Sequence, residues 1–439
     1  MIDNIVYLDD VVGRRIDPHQ FHPERVAIIE RIKKQSWCKL KDVIKNVKTT
    51  TSSVPKGETY IGLENIESNT GIYTPSDIEA ISTAAKFKKG DILFPKLRPY
   101  LNKVHLAQFD GYCSPEFMIF EAKNILPDFL TIVLRSNIVV AQTKHLMTGN
   151  THPRLQPEDI ANLLIPYPSI EKQKEIIEIY CNGERRRNNH NNHAKEILNG
   201  INNFIITELG ASFCLKNNDS LYKTRMTTIV GGRFDVKYNR QNENTELFES
   251  TFDIVPLNKY VDDIFQGIGK SETSENTYTL LKVKNILKGN LIDYENVEFV
   301  KDVPVKKILH KNDIITPFIG EAIRQIKFSV FDKDYPTYTV DNNTGVIRLK
   351  QNINAYYVCE FLCSTLGACQ IERIIGGGGV PFLGTSGAKM LKIIVPPIDI
   401  QKNIAVSISN YRKEAHSFIK RGKTLLNETA KQIENKLFE

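Results

Sequence analysis

The stretch Asp263-Ile264-Phe265-Gln266-Gly267-Ile268-Gly269-Lys270-Ser271 holds the residue types most suggestive of a reaction. An Asp-x-Phe-x-Gly-x-Gly loop can cradle S-adenosylmethionine, and glycines running into Lys-Ser can wrap a phosphate. Each chemistry needs a second feature. A phosphate loop requires glycine five residues before Gly269, where Ile264 stands. A base methyltransferase requires a downstream Asn-Pro-Pro-Tyr/Phe. The nearest match, Val395-Pro396-Pro397-Ile398, has neither the Asn that would hold the target amine nor the aromatic that would stack on the base.

Other catalytic constellations are equally incomplete. A nuclease needs an acidic residue ahead of Glu-x-Lys to hold Mg²⁺ and activate water. Glu434-Asn435-Lys436 has that spacing but falls in a helical pattern. Cys359 and Cys363 are four apart on an expected helix, with Cys369 beyond, and lack the Cys-x₂-Cys knuckle of a metal site. The glycines 376–379 follow a helix rather than a strand, so they read as a loop and not a dinucleotide cradle. No Ser/His/Asp set stands out among nine histidines. The expectation is a non-catalytic chain that binds and organises, with no metal or cofactor site of its own.

Binding residues are easier to place. Lys86, Lys88 and Lys89 precede the apolar run Ile92-Leu93-Phe94, and Lys96, Arg98, Tyr100, Asn102 and Lys103 follow it. Arg154 lies in a later Gly/Pro loop. A comparable stretch carries Glu321, Arg324, Gln325 and Lys327. Arg and Lys suit guanine edges, Asn and Gln suit adenine, Glu accepts from cytosine, and lysines otherwise neutralise phosphates. These thirteen residues are the candidate contacts to double-stranded DNA. A net charge of +7 over 439 residues favours a polyanion without demanding one.

The elements that must hold these residues are mixed. Short β-rich pieces separated by Gly, Asn, Asp and Pro fill residues 37–168 and 252–397, each set closing on a helical stretch near 126–143 and 355–374. After each comes a polar stretch whose seam positions recur every three or four residues, apolar at the ends and polar or small in the middle: Ile170, Gln173, Ile177, Tyr180, Glu184, Arg187, Asn191, Ala194, Leu198, Ile201 and Ile205, then Ile404, Ile408, Tyr411, Ala415, Phe418, Gly422, Leu425, Thr429, Ile433 and Leu437. That spacing forms a seam that must pack on another helix. Helices of roughly 36–38 residues would be about 55 Å long. An alternative has Asn182 to His193, rich in Asn and Arg, breaking the first helix. Length allows two to four domains. No apolar run reaches the ~18–20 residues of a membrane span, the first residues lack the form of a signal peptide, and the seven scattered cysteines read as reduced thiols. A cytoplasmic protein is expected.

The two halves repeat one another at a spacing near 220 residues. Arg15-Ile16-Asp17 returns as Arg233-Phe234-Asp235, and Glu64-Asn65-Ile66 as Lys284-Asn285-Ile286. Lys89-Gly90-Asp91-Ile92-Leu93 returns as Lys311-Asn312-Asp313-Ile314-Ile315. Residues 149–155 return as 377–383, with Pro153 matching Pro381. Ile170-Glu171-Lys172-Gln173 returns as Ile398-Asp399-Ile400-Gln401. In this alignment Lys96-Leu97-Arg98 faces Phe318-Ile319-Gly320. Such a chain can present two similar surfaces about a pseudo-twofold axis, which suits a duplex.

With these motifs in the same order twice, the chain resembles the specificity subunit of a Type I restriction–modification system over nearly its whole length. It departs at Asn312, where the signature has Gly, and at Val395-Pro396-Pro397, which lacks a spaced Pro-x-Pro. The resemblance implies an α+β architecture: two mixed α/β target-recognition domains in tandem, each followed by a long helix, the helices pairing as an antiparallel coiled coil with overall pseudo-twofold symmetry. It implies a lead segment at 1–36, recognition domains at 37–168 and 252–397, helical spacers at 169–210 and 398–439, and a linker with a second lead at 211–251. It also implies reading of a bipartite, asymmetric DNA site, docking of two methyltransferase (modification) subunits, and restriction subunits joining for cleavage. S-adenosylmethionine, Mg²⁺ and ATP would belong to those partners. Competing readings are a specificity-like chain diverted to regulation or another defence complex, and a methyltransferase or nuclease in its own right.

Overall fold

The computed structural model describes residues 21–47, 49–75, 83–148, 151, 153–214, 247–269, 278–375 and 379–439. The leads at Arg15–Asp17 and Arg233–Asp235, Gly149, Lys270, Ser271 and residues 376–378 lie outside the described residues. The architecture is mixed α and β. Residues 1–190 with 420–439 form one compact unit, and residues 191–419 form another.

In the first unit the run Ile92–Pro95 is buried along its whole length, as expected of a strand covered on both faces. It pairs antiparallel with Phe117–Ala122 on one side and His105–Leu106 on the other, and Ile44–Val47 completes the sheet beyond Phe117–Ala122. A second sheet runs Thr50–Thr51, Ala84–Phe87, Gly111–Cys113, Tyr60–Ile61, its last pair parallel. Trp37–Lys39 pairs with Leu164–Pro166, closing the start of the unit on its end. Phe94, Phe120, Phe129, Leu130, Val133 and Ile138 lie in one core, and Ile61, Phe87, Leu93 and Ile119 in a smaller one.

The second unit repeats the first sheet in the same order: Val261–Gln266, Thr344–Leu349, Ile314–Pro317, Ser329–Val330. Its other sheet differs. Tyr278–Leu281 sits centrally, antiparallel to Glu298–Val300 and parallel to Tyr338–Val340, whereas its counterpart Tyr60–Ile61 is an edge strand.

Each helical stretch expected as one helix is two. Pro127–Arg135 and Asn137–Thr143 are separated by Ser136, and Ala355–Cys363 and Thr365–Ile374 by Ser364. Both serines are extended, with ψ of 160° and 172°. Ser364 Oγ accepts the Leu366 amide, a side-chain cap that favours a new helix start over continuation. The periodic pattern runs through both breaks, so only the serines signal them.

The long helices span Ile170–Glu208 (39 residues) and Ile398–Phe438 (41 residues). Asn182 to His193 is helical throughout, so the alternative of a break there is set aside. Arg187 is buried in that stretch and is bonded by its neighbours Glu184 and Asn188 on the same helix. In the first unit the two helices meet through Glu175 and Lys436 (3.2 Å) and at Gly183, whose missing side chain makes room for Thr429. Ile176, Ile433 and Leu437 join that unit's core. In the second unit Phe204 meets Tyr411 edge-on (5.3 Å), and Ile201, Ile205, Ile404 and Ile408 are buried.

Residues that recur between the halves hold this frame. Gln173 Oε1 accepts the Leu126 amide while its Nε2 donates to Pro168 O. Gln401 does the same with the Asn354 amide and Pro396 O. Gln142 exchanges both bonds with the Leu164 backbone, as Gln370 does with Lys392. Each glutamine thereby satisfies backbone groups at a junction where helix or strand gives them no partner. Among the described residues no helix is long and apolar enough to cross a membrane.

Candidate nucleic-acid interface

The segment after Ile92–Pro95 turns back on itself because Arg98 adopts a left-handed conformation (φ 48°) and Pro99–Leu101 forms a 3-10 turn. The amide of Arg98 donates to Pro153 O (2.8 Å) and the amide of Leu155 donates to Lys96 O (3.0 Å). These bonds lay the 96–101 turn beside residues 153–155. Arg98, Tyr100 and Arg154 are exposed and Lys96 is half-buried. Arg154 grips Glu116 with Nε and Nη2 at 3.0 and 2.7 Å. The hydrogen bonds donated to Glu116 raise the pKa of this guanidinium and fix the direction of its planar fork. Cation, aromatic and acceptor therefore share one end of the sheet, an arrangement able to meet phosphates and base edges together.

The remaining first-unit candidates are placed otherwise. Lys88 and Lys89 stand at the opposite end of Ile92–Pro95, about 13 Å away for four residues at ~3.3 Å each. Their amides donate to Asp91 and Asp110, and both side chains are exposed. Lys86 lies on the second sheet with its ammonium over the Tyr112 ring. Asn102 is buried, and its Nδ2 donates to Arg135 O (2.7 Å) and Asn69 Oδ1. Lys103 Nζ donates to Leu63 O (2.8 Å). Asn102 and Lys103 therefore serve the frame here, tying the turn to its neighbours.

In the second unit Glu321–Gln325 is the corresponding 3-10 turn, and Gly320 (φ 95°) occupies the place of Arg98. The Gly320 amide donates to Pro381 O, again at 2.8 Å. Glu321, Arg324 and Gln325 are exposed and Lys327 is half-buried. Arg324 Nε bonds Glu321 (3.2 Å), and Nη1 lies 3.5 Å from Glu372. The two outward turns thus make the same amide-to-proline bond at unlike backbone angles (Arg98 φ 48°, ψ 53°; Gly320 φ 95°, ψ 175°) and differ in side chains.

Three features escape the sequence. Glu116, the partner that aims Arg154, is 38 residues away in the chain. Asp91 and Asp313 occupy one frame position but meet opposite charges: Asp313 accepts Arg348 Nε and Nη2 at 2.8 and 2.7 Å, while burial and then Glu121 push the Asp91 carboxyl upward against the Lys88 amide. Finally, His22, Glu24 and His145 bring ligand-type atoms within 4.8 Å of one another. There the atoms already have work. His22 Nδ1 accepts the Glu24 amide as a helix cap, and Glu24 Oε2 meets both His145 (3.0 Å) and Lys144 (3.2 Å).

Residues 34–203 match the family model of the Type I restriction modification DNA specificity domain. The class of the first unit is set by that match together with its sheet, loop and long helix. The chain is 25% identical over 339 residues to the Type I restriction enzyme MjaVIII specificity subunit of Methanocaldococcus jannaschii, covering 72% of this chain and 73% of that one. It is 32% identical over 97 residues to the Type I restriction enzyme EcoDI specificity subunit of Escherichia coli, 22% of each chain. A solved chain from a study of complex assembly and conformational transition of the type I R-M system shares the fold. Its TM-score is 0.53 at 15% identity, over 92% of this chain and 96% of that chain. Over these spans the chain is similar to the specificity subunits of Type I restriction–modification systems.

Proposed function

We propose that this chain is the DNA-sequence specificity subunit of a Type I restriction–modification complex and reads a bipartite, asymmetric site. The observation that carries this reading is the shared outward frame with unlike side chains: Arg98 against Gly320, with the same amide-to-proline bond behind each. One scaffold bearing two sets of readout groups suits two different half-sites. Residues 37–168 and 252–397 are the recognition domains, carrying the candidate contacts other than Asn102 and Lys103, which are bonded within the frame. The two long helices pair as an antiparallel coiled coil about a pseudo-twofold axis and set the length of unread spacer. Two methyltransferase subunits dock on the helical regions, and restriction subunits join for cleavage. The chain is cytoplasmic and non-catalytic, and S-adenosylmethionine, Mg²⁺ and ATP act in its partners.

The test is co-expression with the cognate methyltransferase subunits, followed by long-read sequencing of host DNA. One methylated, split motif is expected. Exchange of residues 37–165 for another recognition domain should change one half-site and leave the other intact. Methylation without a split motif, or none with a competent partner, would sink the reading.

A further inference from the structure

Backbone hydrogen bonds fix which residues of the two units correspond. Lys96 N donates to Glu116 O and Leu155 N to Lys96 O; likewise Phe318 N donates to Asn343 O and Leu383 N to Phe318 O. Leu97 faces Arg154 across an antiparallel bridge, and Ile319 faces Phe382. Arg154 therefore corresponds to Phe382, and Glu116 to Asn343. Where the first unit holds a guanidinium gripped by a carboxylate, the second holds a ring that is 51% exposed and an exposed amide.

A single exposed apolar side chain needs no explanation by itself. The position of this one does. It stands beside the turn carrying Arg324 and Gln325, at the frame position where the other unit holds Arg154. Its orientation is also held. The ring lies on the backbone of Gly384, where φ is 58° and any Cβ would collide with the ring carbons. Phenylalanine offers neither donor nor acceptor. In the major groove its favourable partner is the 5-methyl group of thymine, while the natural partner of an Asn amide is adenine.

We infer that Phe382 is a base-reading residue of the second unit, contacting a thymine 5-methyl group, with Asn343 placed to read the paired adenine. This rests on the proposed DNA-specificity function and extends it to one base pair of the second half-site.

The test uses the complex with its methyltransferase subunits and a duplex carrying its mapped motif. Each thymine of the second half-site is replaced singly by deoxyuridine, which removes only the methyl group. One replacement should weaken binding about fourfold, the value of one buried methyl-sized group. Phe382→Ala should weaken binding to the unmodified duplex by a similar factor and abolish the response to that replacement. Phe382→Leu should retain the response. The inference is overturned if the second half-site holds no A·T pair, if Phe382→Ala binds as the parent does, or if the variant still responds to every replacement. A parent complex with no bipartite motif overturns the underlying function instead, and is recognised before any variant is made.

Discussion

Arg98 and Pro153 are joined by a 2.8 Å bond from amide to carbonyl, with Arg98 held at φ 48°. Gly320 and Pro381 make the same bond in the second unit, with glycine at φ 95° and ψ 175°. A non-glycine residue pays roughly 1–2 kcal/mol for the left-handed conformation that Arg98 adopts. The first unit therefore carries strain at a position where its counterpart avoids it.

Arg98→Gly should leave stability unchanged or raise it by about 1 kcal/mol, while selectivity at the first half-site falls. Urea unfolding and methylation mapping read the two effects. A drop in stability would show that the Arg98 side chain supports the frame instead of the readout.

Gln173→Ala and Gln401→Ala should each cost about 1–3 kcal/mol, since each strands a backbone amide at a helix junction. Hydrogen exchange should quicken at Leu126 in the first variant and at Asn354 in the second. Uniform acceleration through both units from either substitution would contradict this local role.

Asp91 and Asp313 should answer substitution in opposite ways. Folding raises the Asp91 pKa, through burial first and Glu121 among the nearby charges. The native state then binds that proton more tightly. Its stabilising contribution is full below the ordinary aspartate range and is lost as pH rises through the raised value. Asp91→Asn should therefore raise stability near neutral pH and flatten its pH dependence. Asp313→Asn removes the carboxylate from Arg348 and should cost about 3 kcal/mol. Denaturation series across pH would distinguish them, and equal destabilisation by both would contradict the contrast.

Thiol reactivity should follow burial. Cys181 is exposed, whereas burial pushes the Cys38 thiol up to about 11 and Cys113 up to about 12, and Cys359 is raised well above the ordinary value. Near neutral pH a maleimide should label Cys181 first and reach Cys38, Cys113 and Cys359 only on denaturation. Mass spectrometry of the native adduct checks the order.

The sequence by itself determined the frame. Seam periodicity marked both long helices, and apolar runs such as Ile92-Leu93-Phe94 marked strands. These signals are legible because they are local: a helix face or strand period is written in neighbouring residues. Tertiary structure alone decided which polar residues face outward. Asn102 has the chemistry of a base reader but turns inward to Arg135 O, 33 residues away. Arg154 is aimed by Glu116, and Phe382, unremarked among the apolar residues, stands exposed where the first unit holds that arginine. Such roles depend on partners brought from distant segments, and side-chain type does not reveal whether a partner inside the fold has already claimed it.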